Sequence, residues 1–279
     1  MGSVAATPSS QEAVPVLDRV YTVDLAVMGV QRGQRVLDLG CGKGRHLTQA
    51  LAYPIHVVGA DIDFQELYVG KYMVVFAHGR RYHPDAVMSM VVADGAELPF
   101  PDASFDHVVC AETLEHVPDP GAVVDEIVRV LKPGGTAGFS VPDLYAETVM
   151  KGLCDLLGFQ ERYVRMTSGH VRVFRRGELS RMLRARGLVP YHVTRREVLD
   201  SFYWLARLLI SDRAPGSYVH RAVARFLDSR RVRFSRFIHA LEAPLAPFWA
   251  KSVVVYARKP PAPVPAAPAE GRADYSSRP

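Results

Sequence analysis

Short apolar runs alternate along the chain with longer stretches in which apolar residues recur every three or four positions. The compact runs, rich in Val, Ile and Leu, predict strands at 35–39, 55–60, 87–92, 106–111 and 136–141. The stretches between them predict helices at 47–52, 65–79 and 121–131, the last stopped by the Lys-Pro-Gly-Gly sequence at 132–135. Strands that alternate with helices predict βαβ units, and therefore a parallel sheet covered on both faces.

The end of the chain has a different pattern. A helix is predicted at 178–186 and a strand at 188–199, and about fifty mainly helical residues then precede a last strand at 252–257. We predict a disordered leader at 1–14, one folded domain at 15–259 and a Pro- and Ala-rich disordered tail at 260–279. Within the domain, 200–250 is predicted to be a helical, Arg-rich insertion between the last two strands.

The first predicted strand runs into a glycine-rich turn that contains Asp38, Gly40, Cys41 and Gly42. Glycine permits positive φ and a close approach of a ligand to the backbone, and a following helix presents free N–H groups. The dinucleotide pattern G-x-G-x-x-G fails because Arg45 stands where the third glycine belongs, and the G-K-[ST] of a P-loop is missing. The turn alone therefore predicts a nucleotide-like ligand without defining it.

The ends of the next strands also carry candidate ligand contacts. Asp61 ends the second strand, 23 residues after Asp38, where a carboxylate can accept both hydroxyls of a ribose. Asp94 and Gly95 follow the third strand, and Glu112 follows the fourth. The Ser-Phe-Asp sequence at 104–106 and the Arg-Val-Leu-Lys-Pro-Gly-Gly sequence at 129–135 complete the pattern.

These segments, in this order and spacing, resemble the class I S-adenosylmethionine (SAM)-dependent methyltransferases over about residues 17–145. The similarity is to the small-molecule, type 11 subfamily typified by ubiquinone and menaquinone biosynthesis enzymes. It implies a Rossmann-like α/β fold with a seven-stranded, mostly parallel sheet, helices on both faces and a reversed last hairpin. It also implies S-adenosyl-L-methionine as the cofactor.

The resemblance assigns roles to individual residues. Asp38, Gly40 and Gly42 would line the methionine moiety, with Cys41 between the glycines as a small packing residue. Asp61 would hold the ribose and Ile62 would pack on the adenine. Asp94, followed by Gly95, would accept from the adenine amino group, and Ala111 and Glu112 would border the sulfonium and the acceptor.

Two histidines are candidate catalytic bases on the acceptor side. His116 follows the fourth strand, and His170 lies in a predicted loop after the fifth. A hydroxyl acceptor needs a base, whereas either histidine could instead serve only a local structural role. Glu112, Glu115 and His116 also resemble a metal-associated cluster of ubiquinone O-methyltransferases, although we assign no metal. No Asn-Pro-Pro-Tyr-like sequence is present, which favours oxygen over nitrogen as the methylated atom.

Charge is distributed unevenly. The net charge is +5, yet residues 172–236 hold sixteen arginines against five acidic residues, while residues 1–171 have an acidic excess. The Arg-rich insertion has three interpretations: a helical cap, a peripheral membrane surface, or a contact for a phosphate-bearing partner, with nucleic acid not favoured. Three widely spaced cysteines exclude a disulfide framework, and we expect a cytoplasmic protein, with membrane association as the alternative.

We therefore predict an enzyme that transfers a methyl group from SAM to a small or lipophilic acceptor, at oxygen. Two alternatives stay open. One is an RNA or protein methyltransferase that docks through the Arg-rich segment, and the other is a non-catalytic SAM-binding partner subunit. The sequence does not define the oligomeric state.

Overall fold

The computed structural model describes residues 21–78, 82–158, 160–161, 170–196 and 250–262. Its strands are β1 (Arg35–Leu39), β2 (His56–Asp61), β3 (Val87–Val92), β4 (Phe105–Ala111), β5 (Leu131–Pro142), β6 (Val189–Arg196) and β7 (Ser252–Arg258). Its helices are α1 (Leu25–Met28), α2 (Arg45–Ala50), α3 (Phe64–His78), α4 (Pro120–Val130), α5 (Leu144–Leu156) and α6 (Glu178–Ala185). No helix in these residues is both long enough and apolar enough to span a bilayer.

The seven strands form one sheet in the order β3-β2-β1-β4-β5-β7-β6. β1 to β5 are parallel, whereas β7 runs antiparallel to both β5 and β6. At one end of the last hairpin, Arg196 and Ser252 are register partners. The predicted Rossmann-like α/β fold with a reversed last hairpin is confirmed.

Apolar side chains on the two faces of the sheet form two cores, because successive residues of a strand point to opposite faces. On one face, Leu37 and Phe139 pack with α4 and α6 in a first cluster. On the other, Val36 and Val57 pack with α1 and α2 in a second cluster. The central strands are buried on both faces, which is why they read as continuous apolar runs.

The transition from α4 to β5 differs from the prediction. The helix begins at an N-cap, where Asp119 Oδ1 accepts from the backbone N–H of Gly121 at 2.9 Å, and it ends at Val130. Leu131 already pairs with Phe105 in the sheet, and the regular register resumes only at Thr136. The Lys-Pro-Gly-Gly sequence at 132–135 follows the end of the helix closely, as predicted, but it lies within an irregular stretch of β5 and not in a loop before that strand.

Two helices were not predicted, the short α1 and the longer α5, and an aspartate caps the N-terminus of each. Asp24 caps α1 by accepting from Ala26 N at 2.9 Å, and Asp143 caps α5 by accepting from Tyr145 N at 2.8 Å. Helix α1 packs over β5, where Met28 meets the backbone of Gly138.

Several predicted segments lie outside the described residues. They are the leader at 1–14, the Arg-rich insertion at 200–250 apart from Ala250, and the tail at 260–279 beyond residue 262. The strand predicted at 188–199 is observed as β6, Val189–Arg196, and residues 197–199 lie outside the description.

Gly138 lets α1 approach β5 closely, and replacing it tests this packing. A Cβ at Gly138 would lie 2.5 Å from Val23 Cγ1 and 3.2 Å from Met28 Sδ. We expect Gly138→Ala to lower the free energy of unfolding by about 1–3 kcal/mol through overpacking, measured by urea denaturation. The matched control is Gly152→Ala in α5, where a Cβ meets nothing within 4 Å and helix propensity predicts a gain of about 0.5–1 kcal/mol. Equal effects of the two changes would contradict the packing argument.

Candidate active site

The predicted ligand residues converge at the carboxyl edge of the sheet. β1 lies between β2 and β4, so the chain order reverses direction at this point of the sheet. In open α/β sheets, ligands bind outside the carboxyl ends of the strands at such a switch point. The structure brings the turn after β1, Asp61 at the end of β2 and Glu112 after β4 to this edge.

The glycine turn is held tightly against its neighbours. Gly40, Gly42 and Gly44 all have positive φ, at 68°, 47° and 79°. The N–H groups of Gly40 and Cys41 both donate to the carbonyl of Ala60, at 2.8 and 3.1 Å. A Cβ on Gly40 would collide with the side chain of Thr113, so this position requires glycine.

Asp61 links the end of β2 to the glycine turn. Its Oδ2 accepts from Gly42 N at 2.7 Å, and its Oδ1 accepts from Asp63 N at 3.0 Å. A carboxylate has about four acceptor positions, so each oxygen retains one for a ligand hydroxyl. The side chain is thus both oriented and able to accept further hydrogen bonds.

Asp38 is a buried acid with an unused acceptor. Its Oδ2 has no hydrogen-bond partner among the described residues. Burial raises the pKa of Asp38 to about 7, against the opposing effects of Arg45 and of the Leu47 backbone. A cationic ligand group beside this carboxyl would restore its charged form, as the α-ammonium of a methionine moiety does.

The surface beside Asp61 is apolar and open. Ile62 is 69% exposed and Phe64 is 59% exposed, which is unusual for two large apolar side chains next to a glycine turn.

Asp94 lies beyond β3, where its Oδ1 accepts from Ala96 N at 2.9 Å, so it caps its own turn and leaves the second oxygen for a ligand. Gly95, beside it, packs near Val123.

These features fit the SAM implied by the resemblance. The orphaned oxygen of Asp38 suits an ammonium group, and the oriented carboxylate of Asp61 suits vicinal ribose hydroxyls. The exposed Ile62 offers a surface for a purine face. Cys41 belongs to the scaffold of the site, because its thiol is buried and burial raises its pKa.

Glu112 adopts a strained backbone conformation at the end of β4. It has φ of 54°, a region that residues other than glycine rarely occupy. Its N–H donates to the carbonyl of Ser140, and its Oε1 accepts from Ser140 Oγ at 2.9 Å. The neighbouring Ala111 is the last residue of the strand. The hydrogen bonds to Ser140 hold this strained residue at the edge where ligands bind.

The two candidate bases lie together. The rings of His116 and His170 have their centroids 4.9 Å apart in an edge-to-face arrangement. His170 Nδ1 is 2.8 Å from Glu147 Oε1 in the first turn of α5, and both side chains are mostly shielded from solvent. Glu147 was not identified from the sequence, because α5 itself was not predicted.

Glu115 is an unpaired acid behind the histidines. It is fully buried, and neither of its carboxyl oxygens has a hydrogen-bond partner among the described residues. Burial, together with the negative charge of Glu112, raises the pKa of Glu115 to about 9. At neutral pH the side chain is therefore protonated.

The cluster of Glu112, Glu115 and His116 is not assembled as its metal-associated resemblance implies. The ligand atoms that lie within 4.8 Å of one another belong to Glu115, His116 and His170, while Glu112 is bonded to Ser140. Mg²⁺ prefers oxygen ligands, and two imidazoles with one carboxyl do not match this preference. The donor set does not fit Mg²⁺, and no step below involves it.

Fold and site together define a doubly wound α/β protein built to hold a nucleoside-containing cofactor at its switch point. A family model described as a methyltransferase domain matches residues 37–139. The ubiquinone biosynthesis O-methyltransferase of Thiobacillus denitrificans is 32% identical over 162 residues, which cover 58% of this chain and 67% of that protein. The chain belongs to the class I SAM-dependent methyltransferases of the type 11 kind.

Other similarities agree with this assignment. The demethylmenaquinone methyltransferase of Clavibacter sepedonicus is 37% identical over 137 residues, which cover 45% of this chain and 53% of that protein. The chain thus spans only about half the length of this relative. The crystal structure of a putative methyltransferase from Bacillus halodurans shares the fold, with a TM-score of 0.53 at 17% identity over 85% of this chain and 96% of that one.

The buried acid Glu115 should make stability depend on pH. Between its unfolded value of 4.5 and its folded pKa of about 9, the folded state binds more protons, so the free energy of unfolding falls as pH rises. We expect Glu115→Gln, which cannot ionise, to remove most of this loss. Its melting temperature should exceed that of the wild type by about 4 °C or more at pH 8 and by less at pH 5, measured by calorimetry.

The matched control is Glu97→Gln, because Glu97 is exposed to solvent. Its melting temperature should follow that of the wild type at both pH values. An equal fall in stability between pH 5 and pH 8 for the wild type and for Glu115→Gln would refute the buried, protonated state of Glu115.

Proposed function

We propose that this protein transfers a methyl group from SAM to a hydroxyl oxygen of a small, lipophilic acceptor, with His170 as the general base. The observation that carries the proposal is the His170–Glu147 pair, 2.8 Å between nitrogen and oxygen, beside the carboxyl edge of the sheet. A histidine oriented by a carboxylate is the arrangement that enzymes use to take a proton from a hydroxyl.

The cofactor supplies an activated methyl group on a sulfonium sulfur, so the protein has to position the reactants and remove a proton. Asp61 would accept from the ribose hydroxyls and Asp38 would accept from the methionine ammonium. The adenine would lie on Ile62 with its amino group towards Asp94. Gly40 and Gly42 let the backbone approach the methionine moiety closely, and Ala111 and Glu112 border the reacting end.

The geometry of the pair gives the two histidines different roles. When His170 Nδ1–H donates to Glu147, the lone pair of Nε2 is left to accept the hydroxyl proton. Glu147 also stabilises the imidazolium that forms. Among the described residues, His116 has no such orienting contact, and Glu115 Oε1 lies 3.9 Å from its Nε2. His116 would instead support the ring of His170 from its edge.

A lipophilic acceptor is supported by the surroundings of this pair. Val171 is 60% exposed and Tyr145 is 49% exposed, and they flank His170 and Glu147 in sequence. Exposed apolar side chains beside a catalytic histidine suit an apolar substrate. The names of the two relatives, which refer to demethylmenaquinone and to ubiquinone biosynthesis, point to the same class of acceptor, and one of them is an O-methyltransferase.

The assignment of Asp61 can be tested by cofactor binding. Asp61→Asn keeps the size of the side chain but leaves one strong acceptor instead of two, so we expect the affinity for S-adenosylhomocysteine to fall about 10- to 100-fold. Isothermal titration calorimetry measures this. The matched control is Asp63→Asn, because Asp63 accepts from Gln65 N and Glu66 N at the start of α3 and asparagine can replace it as a cap. Equal affinities of both variants would argue against the ribose contact.

The role of His170 can be tested by turnover. The protein is incubated with methyl-labelled SAM and a panel of lipophilic phenols and hydroxyquinones, and the variants are compared on the acceptor that is methylated. We expect His170→Asn to lower kcat about 10²- to 10⁴-fold, because the general base is lost. Glu147→Gln should lower kcat less, and His116→Asn least.

The pH profile separates a lost base from a damaged fold. In His170→Asn, log kcat should rise with pH as the acceptor hydroxyl ionises in solution, while the wild type levels off. The affinity of the variant for S-adenosylhomocysteine should stay unchanged. Cofactor binding without methylation of any acceptor in the panel would favour a non-catalytic SAM-binding subunit. If kcat fell more in His116→Asn than in His170→Asn, His116 would be the base instead of His170.

A further inference from the structure

A second cavity lies beside the active site, between α6 and the β6–β7 hairpin. Its volume is about 400 Å³, and it is bordered by Asp143 and Leu144 at the start of α5. Its walls are apolar and come from both the sheet and α6: Val141, Phe174, Leu179, Val193, Val253 and Val255. Its remaining border is unusually basic, with five arginines: Arg175, Arg176, Arg181, Arg184 and Arg195.

The basic border follows from the periodicity of the elements. On α6, Ser180 and Arg181 share a face with Arg184, which follows them by four and three positions, while Leu179 and Leu183 form the buried side of the helix. On β6, residues two positions apart share a face, so Arg195 lies on the same side as Val193. Helix and strand thus direct their cationic side chains towards one space.

Among the described residues that line the cavity, arginines outnumber acids. Asp143 is the one acidic residue in the cavity lining, and it accepts from Arg195 Nε at 3.1 Å and from Tyr145 N at 2.8 Å. Within the part of the chain that the structure describes, the side chains of Arg181 and Arg184 make no hydrogen bond or ion pair. Guanidinium groups that are close together and unpaired repel each other, and an anion between them relieves this repulsion.

We infer that this cavity binds a small phosphate monoester with an apolar substituent. The planar fork of a guanidinium matches two phosphate oxygens, and two or more arginines together favour the multiple charge of phosphate over a single carboxylate. The valine and phenylalanine walls suit a hydrocarbon group of the same ligand. The inference concerns binding alone and does not depend on methyl transfer.

The cavity shares two segments with the proposed catalytic pair. Asp143 caps α5 and Glu147 lies in the first turn of the same helix, while Phe174 follows His170 by four residues. A ligand in the cavity would therefore be adjacent to the acceptor side of the active site.

The test measures binding of hexyl phosphate by isothermal titration calorimetry, without SAM and at constant ionic strength. Hexanol tests the need for the anion, and inorganic phosphate tests the contribution of the apolar walls. We expect hexyl phosphate to bind at least tenfold more tightly than either probe. The double variant Arg181→Gln/Arg184→Gln should weaken binding of hexyl phosphate at least tenfold. The matched control, Arg32→Gln, removes one exposed arginine at the opposite edge of the sheet and should bind like the wild type.

A second double variant distinguishes the loss of specific contacts from a folding defect. Arg181→Lys/Arg184→Lys keeps both charges but removes the planar forks, and it should weaken binding at least threefold; the melting temperatures of the unliganded variants show that they are folded. Equal affinities of the wild type and the double glutamine variant would overturn the inference. So would an absence of binding to hexyl phosphate together with flotation on vesicles of phosphatidic acid and phosphatidylcholine, which would indicate a bilayer surface as the ligand.

Discussion

The close contact between the backbone of Gly40 and the side chain of Thr113 is the constraint on which the candidate active site depends. It exists because Gly40 has no Cβ, and the hydroxyl of Thr113 also donates to the carbonyl of Leu39. On the other side, Gly40 donates to Ala60 at the end of β2. One backbone position thus fixes the ends of three strands relative to each other, and the residues that follow each strand take their positions from it.

Burial affects two acids, Asp38 and Glu115, in the same way, but with different consequences for the site. Burial raises the pKa of both Asp38 and Glu115, because the low-dielectric interior disfavours their charged forms. Asp38 lies at the cofactor edge, where the cationic ligand that we propose would restore its charge. Glu115 lies behind the two histidines and stays neutral, so it places no fixed negative charge beside the proposed base.

Much of the fold could be predicted from the sequence, since buried parallel strands and a glycine turn leave strong local patterns. The contacts of the candidate site are harder to predict from the sequence, because they join residues that are distant along the chain. The pair of His170 and Glu147 spans 23 positions, and Glu112 contacts Ser140 across 28. The irregularity at 132–135 also escaped prediction, since a proline and two glycines are equally typical of a loop.

The pairing of Arg196 with Ser252 means that the chain leaves and re-enters the sheet at a single point. A segment whose two ends are neighbours in the sheet can change in length or sequence at a small entropic cost, because loop closure depends only logarithmically on length. The connection between β6 and β7 is therefore a position where a segment can be replaced by another without disturbing the sheet. Descendants of this scaffold could exchange whatever lies between the two residues and acquire a new preference for substrates without rebuilding the sheet or the cofactor edge.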